Sequence, residues 1–481
     1  MTSRFLVLLL SLVIGLSGGC TEGGTSPVYA VKVPNDPSYL PKQWYLQERT
    51  ASNPGGANLP GAWAITTGDS SLYMGVIDSE FNLEGPDFKG DPNCRPRFEK
   101  TIVLSEDPTA RPDYETVPGN VFGHGSIVTA ILGRCTNNGI EGAGVDWSSR
   151  IQPFNFAEEK RNQKNLGLWI EFLAGYLHKS KIRIDVINVS LGGAIFHPAQ
   201  AFNAPEYFNA VNSLNANKQV LVAGSGNDHT NAALEIPATV PGVITVGAST
   251  KEGIAAQFSN WGKAVDVLAP GDGIWITDGA GPVPNPRIET ARGTSLATPI
   301  VSGVVMLMKS VNPGLATQEI RYILRQTAVP MSCEQYCSKN YDVYPGARKK
   351  CQDDCCVGEK NICSAGLLDA YQAVKMAKEG ISVPLPDVNP YLLILHGAGP
   401  HVITVENVGR AKGEFQLVSS DARITLDKAT LSLDAGEKAT VQVSSSEKKV
   451  FHALVSIRAL PFKENDPLSS SIDVHVVSTN L

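Results

Sequence analysis

The sequence predicts an α/β protein. Its main body is a doubly wound, mostly parallel sheet with a cysteine-rich insertion, and a C-terminal antiparallel β-sandwich follows. Three observations predict this. Continuously apolar runs of strand length alternate with stretches at helical spacing between residues 72 and 378, the texture of a parallel sheet covered on both faces. Six of the nine cysteines crowd into one segment: Cys333, Cys337, Cys351, Cys355, Cys356 and Cys363. Beyond Pro384, Pro386 and Pro390 the apolar runs shorten and alternate, as sandwich strands do.

Composition narrows the class. The 481 residues suffice for two or three domains. A hydrophobic share of 42% against 18% charged describes a chain that can bury a sizeable core. The net charge of −6, with no long Lys or Arg run, argues against a nucleic-acid partner.

Residues 1–20 read as a signal peptide. Arg4 is the only charge before the apolar run Phe5–Leu16, which is too short to span a membrane comfortably. Ser17-Gly18-Gly19-Cys20 resembles a bacterial lipobox, with Cys20 as the lipidated residue; ordinary signal-peptide cleavage nearby is the alternative. Residues 21–33 form a tether. The expectation is an exported protein at the bacterial envelope or surface, touching membrane only through a lipid on Cys20, or else secreted, and monomeric. With Cys20 lipidated, eight cysteines remain, and export permits disulfides. The cluster holds no Cys-x-x-Cys pair and no histidine, which favours a stapled loop over a zinc site. Cys94 and Cys135 are then the natural remaining pair.

The α/β domain is expected over 34–380, with the insertion at 333–363. Its first clear strand, Leu72–Ile77, ends at Asp78, the edge where α/β sheets place their sites. Phe122-Gly123-His124-Gly125-Ser126 runs into apolar residues at helical spacing; a satisfied structural histidine is the plain alternative there. Leu166–Leu173 belongs to a mostly apolar helix. Strands follow at Asp185–Val189, breaking into Ser190-Leu191-Gly192-Gly193, at Val220–Ala223, ending in Gly224-Ser225-Gly226-Asn227, and at Pro241–Ala248. Helical spacing returns around Phe202–Leu214, Gln318–Thr327 and Gly366–Lys378. Between these lies Glu289–Pro299, ETARGTSLATP, a loop that ends at Ser295 on the first turn of a buried helix. A serine so placed has its N–H and the positive end of the helix dipole aimed at whatever binds; an N-cap serine is the plain alternative. Residues 381–390 read as a linker, and 391–481 as the sandwich, with strands at Leu392–Leu395, Val402–Val405, Phe415–Val418, Ala439–Val443, Ala453–Ile457 and Ile472–Val476.

Asp78, His124, Asn227 and Ser295 stand at strand ends or helix starts, and acyl transfer needs these types. Serine is weak at its free pKa, so His124 would take its proton and later return it to the leaving amine. Asp78 would orient and stabilise the imidazolium, and Asn227 with the Ser295 N–H would bind the oxyanion. VIDS at Asp78, GHGS at His124, NVSLGG at Ser190, the Gly-Asn turn at Asn227 and GTSLATP at Ser295 resemble the subtilisin-like serine peptidases, or subtilases, from about Asn35 to Ala377. Subtilisin is the type case for this Asp-His-Ser order and for an asparagine donor. Glu80 stands where the family usually has glycine, Ser126 replaces threonine and Ile127 a second histidine, but no catalytic group is lost.

The resemblance implies a serine endopeptidase acting on proteins or peptides. It implies a structural Ca2+ with Asp87, Asn138 and Asp36 among its ligands; turn-forming Asp and Asn are the alternative. It places the substrate along Ser190, Leu191 and Gly192, with a pocket beside Gly224, Ser225 and Gly226. Asp228 and Glu235 near that pocket would favour Lys or Arg before the scissile bond, unless they are solvated surface acids. Two other classes compete: a catalytically silent scaffold, which the intact tetrad opposes, and a binding role for the sandwich, which no exposed aromatic cluster supports.

Overall fold

Eight strands form the central sheet of the computed structural model, which describes residues 31–481 except 90, 95–96, 105–112, 115–122, 157–182, 195–204, 277–288, 339–344, 365, 397–399, 446–450, 462, 464–468 and 480–481. The stretch expected to be a signal peptide, Cys20 and Leu166–Leu173 lie outside the described residues. The strands are β1 (Tyr73–Asp78), β2 (Ile102–Leu104), β3 (Asp113–Tyr114), β4 (Arg150–Phe156), β5 (Val186–Val189), β7 (Val220–Gly224), β9 (Ile244–Ser249) and β10 (Val267–Pro270). Two shorter strands, β6 (Gly193–Ala194) and β8 (Glu235–Ile236), pair only with each other. The order in the large sheet is β10-β9-β7-β5-β1-β4-β2-β3, parallel except for β2 with β3. β4 and β10 add to the strands expected from sequence. From β1 the chain crosses to β2 and β3 at one edge, returns to β4 beside β1, and then steps outward through β5, β7, β9 and β10 on the other side, so Asp78 ends the strand where the direction of winding reverses.

Alternation along the strands serves two cores, as a doubly wound sheet requires. Val220 and Val222 face helix α3 (Thr294–Val311), while Leu221 and Ala223 face the opposite layer with α2 (Pro205–Ala216). A helix apolar on nearly all sides must be surrounded by protein. Ile300, Val304, Val305 and Leu307 of α3 are all fully buried, each worth roughly 1.5–3 kcal/mol of burial. Helix α1 (His124–Gly133) packs beside it, and a hairpin of β11 (Ile274–Ile276) and β12 (Glu289–Ala291) leads the chain into α3.

The insertion is stapled by Cys333–Cys356, Cys337–Cys351 and Cys355–Cys363, and a fourth disulfide joins Cys94 to Cys135. It carries a small hairpin, β13 (Cys356–Val357) with β14 (Lys360–Asn361).

The C-terminal region has two sheets. One is β15 (Pro386–Asn389), β17 (His401–Asn407), β21 (Lys438–Ser445) and β19 (Ile424–Leu426), in that spatial order. The other is β16 (Leu392–His396), β23 (Ser471–Thr479), β22 (Phe451–Ala459), β18 (Gly413–Ser419) and β20 (Thr430–Leu433). All pairings are antiparallel except β16 with β23. The expected linker 381–390 is therefore partly a strand, since β15 pairs with β17. This region shares one apolar cluster with the α2 face of the main sheet: Tyr391, Leu393 and Val474 join Phe208 and Val243. Asn215 donates to the Tyr391 hydroxyl at 3.0 Å, that hydroxyl donates to Asp387, and Arg410 pairs with Glu319 at 2.8 Å.

Candidate active site

β1 delivers Asp78 and α1 delivers His124. Asp78 is fully buried, and its Oδ1 accepts from the Ser79 N–H at 2.7 Å and from His124 Nδ1 at 2.7 Å. Its Oδ2 is buried with no partner among the described residues. A carboxylate held against Nδ1 fixes the ring's orientation and tautomer. The glycines around His124 are steric requirements. A Cβ on Gly123, the N-cap of α1, would collide with the Glu80 carbonyl, and the Gly125 N–H donates to the Ser79 carbonyl at 2.7 Å. Glu80 itself holds φ at 57°, which is the physical reason a glycine suits its position.

Ser295 is the second residue of α3, after Gly293 as N-cap. Its N–H lies in the first helical turn, where donors lack intrahelical partners. The Asn227 amide is fixed by its oxygen: Oδ1 accepts from the Thr294 N–H at 2.8 Å and from Thr294 Oγ1 at 3.0 Å. This leaves Nδ2 to face the serine. A Cβ on Gly293 would lie 2.8 Å from Ser295 Oγ and 3.9 Å from Asn227 Nδ2, so both groups border the same small space. Thr294 is thus a positioning residue that sequence reasoning missed, although the GTS motif contains it.

A second link follows from the proline of the motif. Pro299 has no N–H to donate to the Ser295 carbonyl four residues earlier. Ser190 fills that vacancy, its Oγ donating to the Ser295 carbonyl at 2.9 Å. Asn188 Nδ2 donates to Ser190 Oγ in turn, and Ser302 Oγ donates to Asn188 Oδ1. The segment expected to carry substrate is tied in this way to the helix of the serine.

Beside Ser295 opens a cleft of about 300 Å³, lined by Ser190, Leu191, Gly192, Gly224, Gly226, Asp228 and Glu235 among others. Ser225 departs from expectation. Its side chain is fully buried and turns away from the cleft to donate to the Asn260 carbonyl at 3.2 Å. β8 pairs with β6 immediately after Gly192, which carries Glu235 to the wall. A Cβ on Gly226 would lie 2.9 Å from Glu235 Oε2, and one on Gly192 would strike Oε1, so the carboxylate spans both glycines. Glu235 is 5% exposed, whereas Asp228 sits on the open rim. Burial, with Asp228 adding to it, pushes the Glu235 carboxyl up to about 8. No cation pairs with it among the described residues.

The sequence model of the Subtilase family matches residues 69–358. The chain belongs to the subtilase family. It is 28% identical over 339 residues to an extracellular protease of Xanthomonas campestris, covering 64% of this chain and 56% of that protein. It is 28% identical over 299 residues to thermitase of Thermoactinomyces vulgaris, covering 62% of this chain and 92% of thermitase. Among solved structures, a protease from Pseudoalteromonas arctica matches with a TM-score of 0.55 and 26% identity, over 72% of this chain and 100% of that one. The cell wall-associated protease of Bacillus subtilis is 32% identical over 46% of this chain, which spans 23% of its length. This subtilase thus spans only about half of the Xanthomonas relative and about a quarter of the Bacillus one.

The corner expected to hold Ca2+ does assemble in this subtilase, but its oxygens are already engaged by N–H donors. Asp36 accepts from the backbone N–H groups of Asn137, Asn138 and Gly139 at 2.8–3.2 Å. Asn138 turns its nitrogen, not its oxygen, toward the acids: Nδ2 donates to Asp87 and Asp91, while Oδ1 accepts from the Ile140 N–H. Asp87 Oδ2 accepts from Arg134 Nη1 at 3.3 Å. Burial raises the Asp87 carboxyl to about 7 against the pull of Arg134. Among the described residues no three His, Cys, Asp or Glu side chains form a metal cluster. Asp36, Asp87 and Asn138 as arranged do not fit a hard cation that needs free oxygens.

Proposed function

We propose that this subtilase is an exported serine endopeptidase that prefers Lys or Arg before the scissile bond. Ser295 is the nucleophile, His124 the general base and acid, Asp78 the group that orients the imidazole and stabilises the imidazolium that forms, and Asn227 with the Ser295 N–H the oxyanion site. The observation that carries the reading is the convergence of Ser295 Oγ and a locked Asn227 Nδ2 on the space beside Gly293, with a His124–Asp78 pair at 2.7 Å.

In the reaction Ser295 Oγ bonds to the scissile carbonyl carbon while its proton passes to His124. The carbonyl oxygen becomes an oxyanion between Asn227 Nδ2 and the Ser295 N–H, two donors already aimed before substrate arrives. The C–N bond then breaks as His124 protonates the amine, and water repeats the sequence to free the acid and regenerate the serine. The peptide runs along Ser190–Gly192. Its side chain before the bond enters the cleft, where the unpaired Glu235 carboxylate meets a cation and Asp228 adds negative potential at the rim.

Cys20 is proposed as a lipid anchor. Export agrees with the extracellular and cell wall-associated relatives. The C-terminal sheets read as a β-sandwich docked on the peptidase domain, and the protein acts as a monomer. Labelling with a fluorophosphonate probe tests the central claim. Oxidised wild type should label and Ser295→Ala should not; an unlabelled wild type, with or without calcium, would leave a silent scaffold.

A further inference from the structure

We infer that Arg134 is the resident cation of the Asp87 corner and that this subtilase holds that corner without a divalent metal. The loop after β1 carries Asp87 and Asp91, and the loop after α1 carries Asn137, Asn138 and Glu141. Two runs of acidic and amide oxygens brought this close need a positive charge between them. Arg134 supplies it from the position just past the C-terminus of α1. Its Nη1 donates to Asp87 Oδ2 at 3.3 Å and to Glu141 Oε2 at 3.2 Å, and its Nε donates to the Ala130 carbonyl at 3.2 Å. The side chain is 3% exposed, and the guanidinium lies over the Trp275 ring, 5.5 Å from its centroid. That aromatic cover shields the site from water and adds cation–π attraction.

A second fastening stands beside it. Cys135, the next residue, is disulfide-bonded to Cys94, and its N–H donates to the Asp87 carbonyl at 2.9 Å. A bound metal can clip two loops together; here a disulfide and a buried guanidinium join the same two loops. Asp36 fits this picture, because its oxygens cap the turn at 137–139 and are not left open for a cation.

The test uses oxidised full-length protein and reads thermal unfolding and terbium luminescence. A terbium ion in this corner would sit close to Trp275 and be sensitised by it. Any difference between the wild-type midpoints in EDTA and in millimolar calcium should persist unchanged in Asp87→Asn, and wild type should show no terbium emission that Asp87→Asn removes. Arg134→Gln should lower the midpoint by about 5 °C or more, since it strands buried carboxylates, and Arg134→Lys should recover part of the loss. Arg134→Gln should also gain terbium emission that Asp87→Asn cancels. Calcium-dependent stability or terbium emission in wild type that disappears with Asp87→Asn would overturn the inference. A calcium effect that persists in Asp87→Asn would lie at another site and support it. The readouts do not involve peptidase activity, so the inference stands or falls separately from the proposed reaction.

Discussion

Two regions of the cleft rest on opposite electrostatic terms. On the wall proposed to be catalytic, the atoms that hold each group in place are paired before substrate arrives, although Asp78 Oδ2 is not: Asp78 Oδ1 has two donors, Asn227 Oδ1 has two, and the Ser295 carbonyl has Ser190. Each of these groups is held at one end so that another end can act. Elsewhere in the cleft, Glu235 is buried but has no cation beside it among the described residues. Hydrogen bonds within the protein fix geometry, whereas a buried acid with no internal partner keeps its proton until a charge beside it favours the ionised form. The Asp87 corner shows the third outcome, an acid neutralised internally by Arg134 and so closed to anything from outside.

Three measurements would sharpen or break this contrast. The largest effect is expected at Asn227→Ala, which should lower kcat by roughly 10²–10³ with little change in KM, because the lost donor acts on the oxyanion alone. A change confined to KM would show that Asn227 only binds substrate.

Next comes Glu235→Gln. It should lower kcat/KM for substrates with Arg before the bond by about 10–100-fold relative to Gln or Leu substrates. In wild type the Arg-to-Gln ratio should climb between pH 6 and 9, as the carboxyl loses its proton near 8 in the empty cleft. The ratio cancels the titration of His124, which affects both substrates alike. Stability should run the other way. The unfolded chain releases this proton near 4.5 and the folded one near 8, so the favourable contribution is full below 4.5 and gone above 8. Glu235→Gln should flatten both slopes, and an unchanged Arg preference would remove Glu235 from specificity.

The smallest effect is expected at Glu80→Gly. Relief of the left-handed φ, partly offset by glycine's freedom in the unfolded chain, should stabilise the protein by about 0.5–1 kcal/mol in urea titration. A loss instead would mean that Glu80 makes contacts worth more than its strain.

Much of this was legible in the sequence because local pattern carried it. β1, β5, β7 and β9 are mostly apolar runs, and each proposed catalytic residue stands at or just beyond the point where such a run or a helix begins or ends. β4 was not legible, since Gln152, Pro153 and Asn155 break its texture, yet it lies beside β1 in the sheet. β15 was hidden by Pro384 and Pro386, which read as linker. Arg134 left no signal at all. A lone arginine after a helix has no period, and its partner Asp87 lies 47 residues away in sequence. Ser225 went the other way, since its motif suggested a wall that its side chain does not share.

Pro299 and Ser190 carry a consequence for how such a chain can change over generations. An alanine at 299 would restore the missing helical N–H and release Ser190 from its task, while loss of Ser190 alone would strand a carbonyl on the proposed nucleophile. The two positions are therefore energetically coupled. Among descendants of this sequence they should be exchanged together or kept together, although more than a hundred residues separate them.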